Sequence, residues 1–138
     1  MGFVAAIKSC FRKYVTFSGR ASRSEFWWFV LFIYISAVMA VLLDEILFAA
    51  FGLDPRSVGY DTIGLFPFWQ FVLILPQLAV TVRRLHDNGR SGWWWFLMLV
   101  PFGGIWLLVW YCSRGTPGPN RYGPDPLASA TNWPIAQL

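Results

Sequence analysis

Phe26 to Leu43 are eighteen consecutive residues without a charged side chain, and this run limits what the rest of the chain can become. A helix rising about 1.5 Å per residue spans about 27 Å over that length, close to the ~30 Å hydrocarbon core of a bilayer. A helix on a soluble surface needs a polar stripe facing water, and this run has none. Trp27 and Trp28 stand at its start, where tryptophan favours the membrane–water interface. Ser22 and Glu25 form an S-x-x-E capping pattern, so the helix is predicted to begin near Arg23. Asp44 and Glu45 close the uncharged run and are expected to mark its outer end, although Ile46 to Phe51 can carry the helix into the far interface. A proton path through the two acids is the alternative, if they are buried.

Two further apolar runs follow. The second extends over roughly 63–82, with Pro67 near its start and Pro76 in its body. Pro76 removes a backbone hydrogen bond and should kink the helix. In lipid the freed carbonyl needs another partner, so the kink is predicted to face protein. The third covers 93–112, opening on three tryptophans and interrupted by Pro101, Gly103 and Gly104. Either half alone is too short to cross, so one kinked span is the simpler reading and a re-entrant hairpin the alternative. Gly52 to Gly64 reads as a loop, with turns at Asp54-Pro55 and Gly59.

Composition agrees: 57% of residues are apolar, 20% aromatic and only 13% charged, against about a quarter charged in soluble domains. Ahead of the first run, Phe3, Val4, Ile7, Phe11, Tyr14 and Val15 recur at helical spacing with Lys8, Arg12 and Lys13 between them. That pattern predicts a basic amphipathic helix over about 3–15, lying in the headgroup plane or docked on the protein's own spans. Met1 to Tyr14 lack the continuous apolar core of a signal peptide, so the first span is expected to be retained. Cys10 and Cys112 stand apart, with neither metal-site nor disulfide spacing. The expectation is an all-α polytopic membrane protein. One domain covers 1–126, with an interfacial helix and about three spans (26–43, 63–82, 93–112), and 127–138 form a loose tail.

Charge sets the expected orientation. Lys8, Arg12, Lys13, Arg20 and Arg23 precede the first span and Arg83, Arg84 and Arg90 follow the second, whereas the first loop has Arg56 against Asp44, Glu45, Asp54 and Asp61. The positive-inside rule puts the N-terminus and second loop in the cytoplasm. Three spans would then place the tail outside, in mild conflict with its Arg114 and Arg121; a re-entrant third run removes the conflict. The net charge of +4 comes from short basic groups beside apolar runs, a membrane pattern and not a nucleic-acid one.

Two polar stretches, GRASRSE (19–25) and RRLHDNGR (83–90), are predicted to share the cytoplasmic interface. They offer Arg20, Arg23, Arg83, Arg84 and Arg90 with His86 and Asp87, a candidate site for an anionic phospholipid headgroup or a partner protein. Guanidinium groups bind phosphate through paired hydrogen bonds, and the helix starts near Arg23 and Gly92 present N–H groups. The plainer reading is that these arginines anchor the spans, with Glu25 and Asp87 pairing some of them. His86 beside Asp87 resembles half of an acid–base pair, but no nucleophile or metal ligand is spaced with it, so neither catalysis nor a cofactor is expected.

In order, FSGRASRSEFWWF, RRLHDNGRSGWWWF and GTPGPNRYGPDP, separated by apolar runs, resemble the bacterial YhaH/YhaI-like small inner-membrane proteins. The likeness runs from about Tyr14 to Pro126. It implies an inner-membrane location and a single helical domain, and no activity, because that family is a domain of unknown function. The positions matching its pattern are Gly19, Arg20, Arg23, Glu25, Arg83, Arg84, Leu85, His86, Asp87, Trp93, Gly115, Asn120, Tyr122 and Gly123. The favoured function is a non-enzymatic membrane component binding lipid bilayer headgroups, a membrane-protein partner or a second copy. Its tail residues Asn120, Arg121 and Asp125 would fold onto the RRLHDNGR turn if the tail is cytoplasmic. A small oligomeric transporter or lipid-translocating protein is the alternative, and a phospholipid-directed enzyme using His86 and Asp87 ranks last.

Overall fold

A computed structural model describes residues 1–54 and 64–128. These form helices and no strand: α1 (Phe3–Arg12), α2 (Arg23–Ala50), α3 (Leu65–Asp87), a 3₁₀ segment (Gly92–Leu99) and α4 (Gly103–Cys112). Much of the loop expected at 52–64, including the turns at Pro55 and Gly59, lies outside the described residues, as does the tail from 129 onward.

The start of α2 is where the capping pattern places it. Ser22 is the N-cap and its hydroxyl accepts the Glu25 N–H at 3.2 Å. The helix runs through Asp44 and Glu45 to Ala50, the continuation past the acids that the sequence allowed. Asp44 is buried and caps a different helix. Its carboxylate accepts the N–H groups of Leu65 and Phe66, both at 2.7 Å, and so satisfies two donors that the first turn of α3 cannot satisfy itself. Gly64 leaves room for it, since a Cβ there would lie 2.8 Å from Asp44 Oδ2 and would displace the capping carboxylate. Asp44→Ala is expected to lower stability by about 1–3 kcal/mol through two orphaned donors. A melting-temperature comparison in detergent measures this, and an unchanged value would show that the cap contributes nothing.

Within α3, Pro67 falls in the first turn and removes no helical bond. Pro76 is buried, and the carbonyl it leaves without a helical donor, that of Val72, accepts a hydrogen bond from the Tyr14 hydroxyl. The kink thus faces protein, as its chemistry in lipid demands. The helix also runs longer than expected. Arg83 to Asp87 are its last residues, and the turn is confined to Asn88-Gly89. Gly89 has φ +69°, its N–H bonds His86 O and the Arg90 N–H bonds Leu85 O, a Schellman C-cap that needs a left-handed residue.

α1 ends at Arg12, short of the predicted 15. Ala6 and Cys10 are fully buried, and Phe11 packs edge-on against Phe29 and Phe32 at 5.9 and 5.7 Å. The helix therefore docks on the protein's own α2, leaving Lys8 and Arg12 exposed. The core is thin: Cys10, Ala21, Phe26, Phe29, Ile33, Leu73 and Val80 gather where α1, α2 and α3 meet. Outside it large apolar side chains face outward, Tyr34 being 70% exposed and Phe71 74%, the inverse of a water-soluble surface. Among the described residues two helices, α2 and α3, are long and apolar enough to cross a membrane.

The third run does not extend as one rod. It descends as the 3₁₀ segment, reverses at Val100–Phe102 and returns as α4. Phe102 takes φ +64° at the reversal, and Gly103 packs so closely that a Cβ would lie 1.8 Å from Leu97 O. Both ends of the run meet the C-terminus of α3. Trp94 packs edge-on against Trp110 at 5.5 Å, and the Asn88 side-chain amide donates to Trp110 O at 2.9 Å. A kinked span was the simpler reading; the αL turn and the Gly103 approach make the run a hairpin instead.

Candidate functional site

The two polar stretches do come together, although 67 residues separate Arg20 from its carboxylate partner Asp87. The end of α3 is their meeting point. Ala21 N–H bonds Arg83 O at 3.0 Å, and the ring nitrogen Nδ1 of His86 lies 3.1 Å from Gly19 O. The segment after α4 then folds over both. Thr116 donates its N–H to Asp87 O at 2.8 Å, and Asn120 Nδ2 donates to His86 O at 2.9 Å. The tail thus supplies donors to the last carbonyls of α3, adding to the bond that Gly89 already makes to His86 O.

At the centre sits Asp87, between two buried guanidiniums. Arg20 donates from Nε to Oδ1 at 2.8 Å, and Arg84 donates to Oδ2. Each arginine also ties down another segment: Arg20 reaches Gly118 O at 2.6 Å and Thr116 O at 2.5 Å, and Arg84 reaches Tyr111 O at 3.1 Å and Ser113 O. The side chains of Arg20, Arg84 and Asp87 are 1%, 0% and 5% exposed. Gly115 has to be glycine, because a Cβ would stand 2.1 Å from Asp87 Oδ2.

A second buried pair lies under α1. Arg83 Nη1 donates to Glu25 Oε1 at 2.8 Å, and the Ser9 hydroxyl donates to the same oxygen at 3.0 Å. Lys13 Nζ approaches it to 3.9 Å. Nε and Nη2 of Arg83 are buried and make no hydrogen bond. Beside them, burial and then the nearby Glu25 charge push the Cys10 thiol up to about 12. Glu25 therefore completes only half of a capping box: it takes its N–H cap from Ser22, while its carboxylate turns away to Arg83.

Of the residues singled out from sequence, Arg20, Arg83, Arg84 and Asp87 are engaged with internal partners. His86 and Asp87 do not act on each other. His86 stacks flat on Tyr122 at 3.9 Å, with planes 2° apart, whereas Asp87 faces the arginines. Arg90 lies over the Trp110 ring at 3.8 Å. Arg23 is exposed, with Nη1 3.5 Å from Cys112 O. Asn120 and Arg121 reach the turn as expected, Arg121 Nη2 donating to Gly89 O at 3.2 Å. Asp125 folds the tail itself, accepting from Leu127 N at 2.8 Å and Gly118 N at 3.1 Å. The Leu127 N–H foremost holds its carboxyl below the usual range. Sequence reasoning missed Ser9, Thr116 and the carbonyls of Tyr111 and Ser113, which have no motif of their own. Among the described residues no three His, Cys, Asp or Glu side chains gather as metal ligands.

Between the start of α2 and the tail lies a cleft of about 780 Å³, bordered by Arg23, Ser24, Trp27, Arg114, Asp125 and Leu127, with Arg20 and Asp87 in its wall. Arg23 and Arg114 are exposed there.

Over most of its length the chain is similar to known proteins. The inner membrane protein YhaH of Escherichia coli K12 is 42% identical to this chain, over 83% of the chain and 90% of YhaH. The inner membrane protein YhaI of the same organism is 41% identical, over 86% and 92%. An uncharacterized protein, YiiR, is 32% identical over 80% of the chain and 85% of its own length. No solved structure matches. The family model described as a protein of unknown function, DUF805, matches residues 14–124, which include the capped start of α2, the buried arginine network and the tail that closes over it. This chain belongs to the DUF805 family.

Proposed function

We propose that this chain is a non-enzymatic inner-membrane protein with two spans and one re-entrant hairpin, whose cytoplasmic face holds an anionic phospholipid headgroup. Of its eleven Lys and Arg residues, all but Arg56 lie before α2 or at its first residue, in the last two turns of α3 or beyond, whereas Asp44, Glu45, Asp54 and Asp61 lie at the other end of the spans or in the loop between them. That asymmetry supports a cytoplasmic N-terminus and, with the hairpin, a cytoplasmic tail. α1 would then lie at the headgroup level with Lys8 and Arg12 toward the lipid.

The cleft carries this reading. Arg23 and Arg114 line it and are exposed, and Trp27 and Leu127 add apolar lining. A phosphodiester between two guanidiniums, with acyl chains leaving past Trp27, matches that lining better than a protein surface does. Arg20, Arg83, Arg84, His86, Asp87 and Arg90 then form the scaffold that holds the walls, and Arg23 and Arg114 meet the ligand.

Native mass spectrometry of protein released from mixed phosphatidylglycerol and phosphatidylethanolamine membranes tests the site. Arg23→Gln with Arg114→Gln should retain phosphatidylglycerol about tenfold less, while Lys8→Gln retains it normally. Displacement of the lipid by inorganic phosphate would identify the phosphate group alone as the ligand. Equal retention by the double variant at an unchanged melting temperature would remove the site.

A further inference from the structure

The helical hairpin and the two spans differ in length by a factor that matters in a bilayer. α2 has 28 residues and α3 has 23, about 42 and 35 Å at 1.5 Å per residue, so both cross a ~30 Å core. The descending arm of the hairpin has eight residues in 3₁₀ geometry and the returning arm ten in α geometry. At about 2.0 and 1.5 Å per residue they measure about 16 and 15 Å. The arms match each other and match half of the core. Their tip is apolar and outward-facing, with Leu99 78% and Phe102 80% exposed, and its turn is closed by the Gly103 N–H on Val100 O at 2.9 Å. Arms of that length starting at the interface reach about the bilayer midplane.

α1 adds bulk to the same half of the molecule. Its N-terminal end packs Phe3 on Trp28 at 5.7 Å, and Ser9 bonds Glu25 in the first turn of α2. Near the arginine network the molecule therefore carries α2, α3, two hairpin arms and α1. At the opposite end, among the described residues, it carries α2 and α3 alone. Each helix is a rod about 10 Å across, so the two halves displace very different areas of lipid.

We propose that this protein is a one-leaflet wedge that responds to, and at high density imposes, membrane curvature. A body that is wider in one leaflet fits with least lipid strain where that leaflet is stretched, on the convex side of a curved bilayer. Helices lodged at one interface show the same sensitivity. The wedge needs no bound headgroup, so it stands or falls separately from the cleft.

The test uses the full chain in neutral phosphatidylcholine vesicles, which take the anionic-lipid site out of play. In a Cys112→Ser background, Ser18→Cys reacts with a membrane-impermeant maleimide only in molecules whose arginine end faces outward, which sorts the two orientations. Small sonicated and large extruded vesicles are then compared for protein per unit area. Outward-facing molecules should be enriched several-fold in the small vesicles and inward-facing ones depleted. Equal densities, or enrichment of the same sign in both orientations, would overturn the wedge. The depth of the tip gives an independent reading: a fluorophore on Phe102→Cys should be quenched best by lipids labelled near the chain ends. Reaction of that cysteine with impermeant reagent from the side opposite Ser18→Cys would mean the run spans, and would also overturn the proposal.

Discussion

Asp87→Ala is expected to remove the folded protein from the membrane. The substitution leaves two guanidiniums, those of Arg20 and Arg84, buried at 1% and 0% side-chain exposure without a counter-charge. Breaking a buried pair from one side costs about 3–5 kcal/mol, and here one carboxylate serves two partners. Total stabilities of about 5–15 kcal/mol leave little margin. The damage should spread, because the same two arginines hold the carbonyls of Thr116, Gly118, Tyr111 and Ser113. Trypsin should then cut after Arg114 and Arg121 far faster than in the parent, ahead of any loss of helix. Gly115→Ala should reproduce much of the effect with every charge in place, since its Cβ would press to 2.1 Å from Asp87 Oδ2. A replacement of all three charged residues by apolar ones of similar volume should recover stability that Asp87→Ala loses. Melting temperatures within a degree of the parent for Asp87→Ala would mean that the network does not hold these segments.

Glu25→Ala has an effect of similar size for a different reason. Arg83 already has two buried nitrogens without partners, and Glu25 is the one carboxylate bonded to it among the described residues. Its removal leaves a buried cation with no counter-charge, again about 3–5 kcal/mol. It also releases the Ser9 bond that fastens α1 to α2. The Cys10 thiol reports the release directly. In the parent it is buried and held neutral by a pKa pushed up to about 12, so it should resist alkylation at neutral pH while exposed Cys112 reacts. In Glu25→Ala both should react. Because the folded pKa lies above the unfolded value of 9.0, the stability linked to this thiol is complete below pH 9.0 and is lost as pH rises toward about 12. Glu25→Leu with Arg83→Met should melt near the parent, separating the unpaired charge from simple loss of packing.

These two carboxylates also explain why the arginines looked like a ligand site. Five guanidiniums beside apolar runs invite an anion, and the sequence does not show how many are already answered. Glu25 and Asp87 were legible as candidates for pairing, but which arginine each would take was not. Arg20 and Arg84 share Asp87, and Arg83 takes Glu25. The exposed pair at the cleft, Arg23 and Arg114, joins residues 91 positions apart; Arg114 had stood out in the sequence only as a charge on the wrong side.

What the sequence determined by itself is whatever neighbouring residues decide among themselves. The uncharged run before Asp44 has to be helical in lipid, because no other backbone form satisfies its own polar groups there. Ser22 starts that helix, Gly89 ends the next, and Pro76 requires an outside donor for Val72 O. Only the tertiary structure decided that Tyr14 is that donor, that Asp44 caps α3, and that the third apolar run turns back. A run apolar on every face carries no period to say which side packs, so its path depends on contacts such as Trp94 with Trp110 and Asn88 with the Trp110 carbonyl. Charge pairing over 67 residues is likewise invisible locally. A buried guanidinium takes the carboxylate that the folded chain brings to it, and sequence distance has no part in that energy.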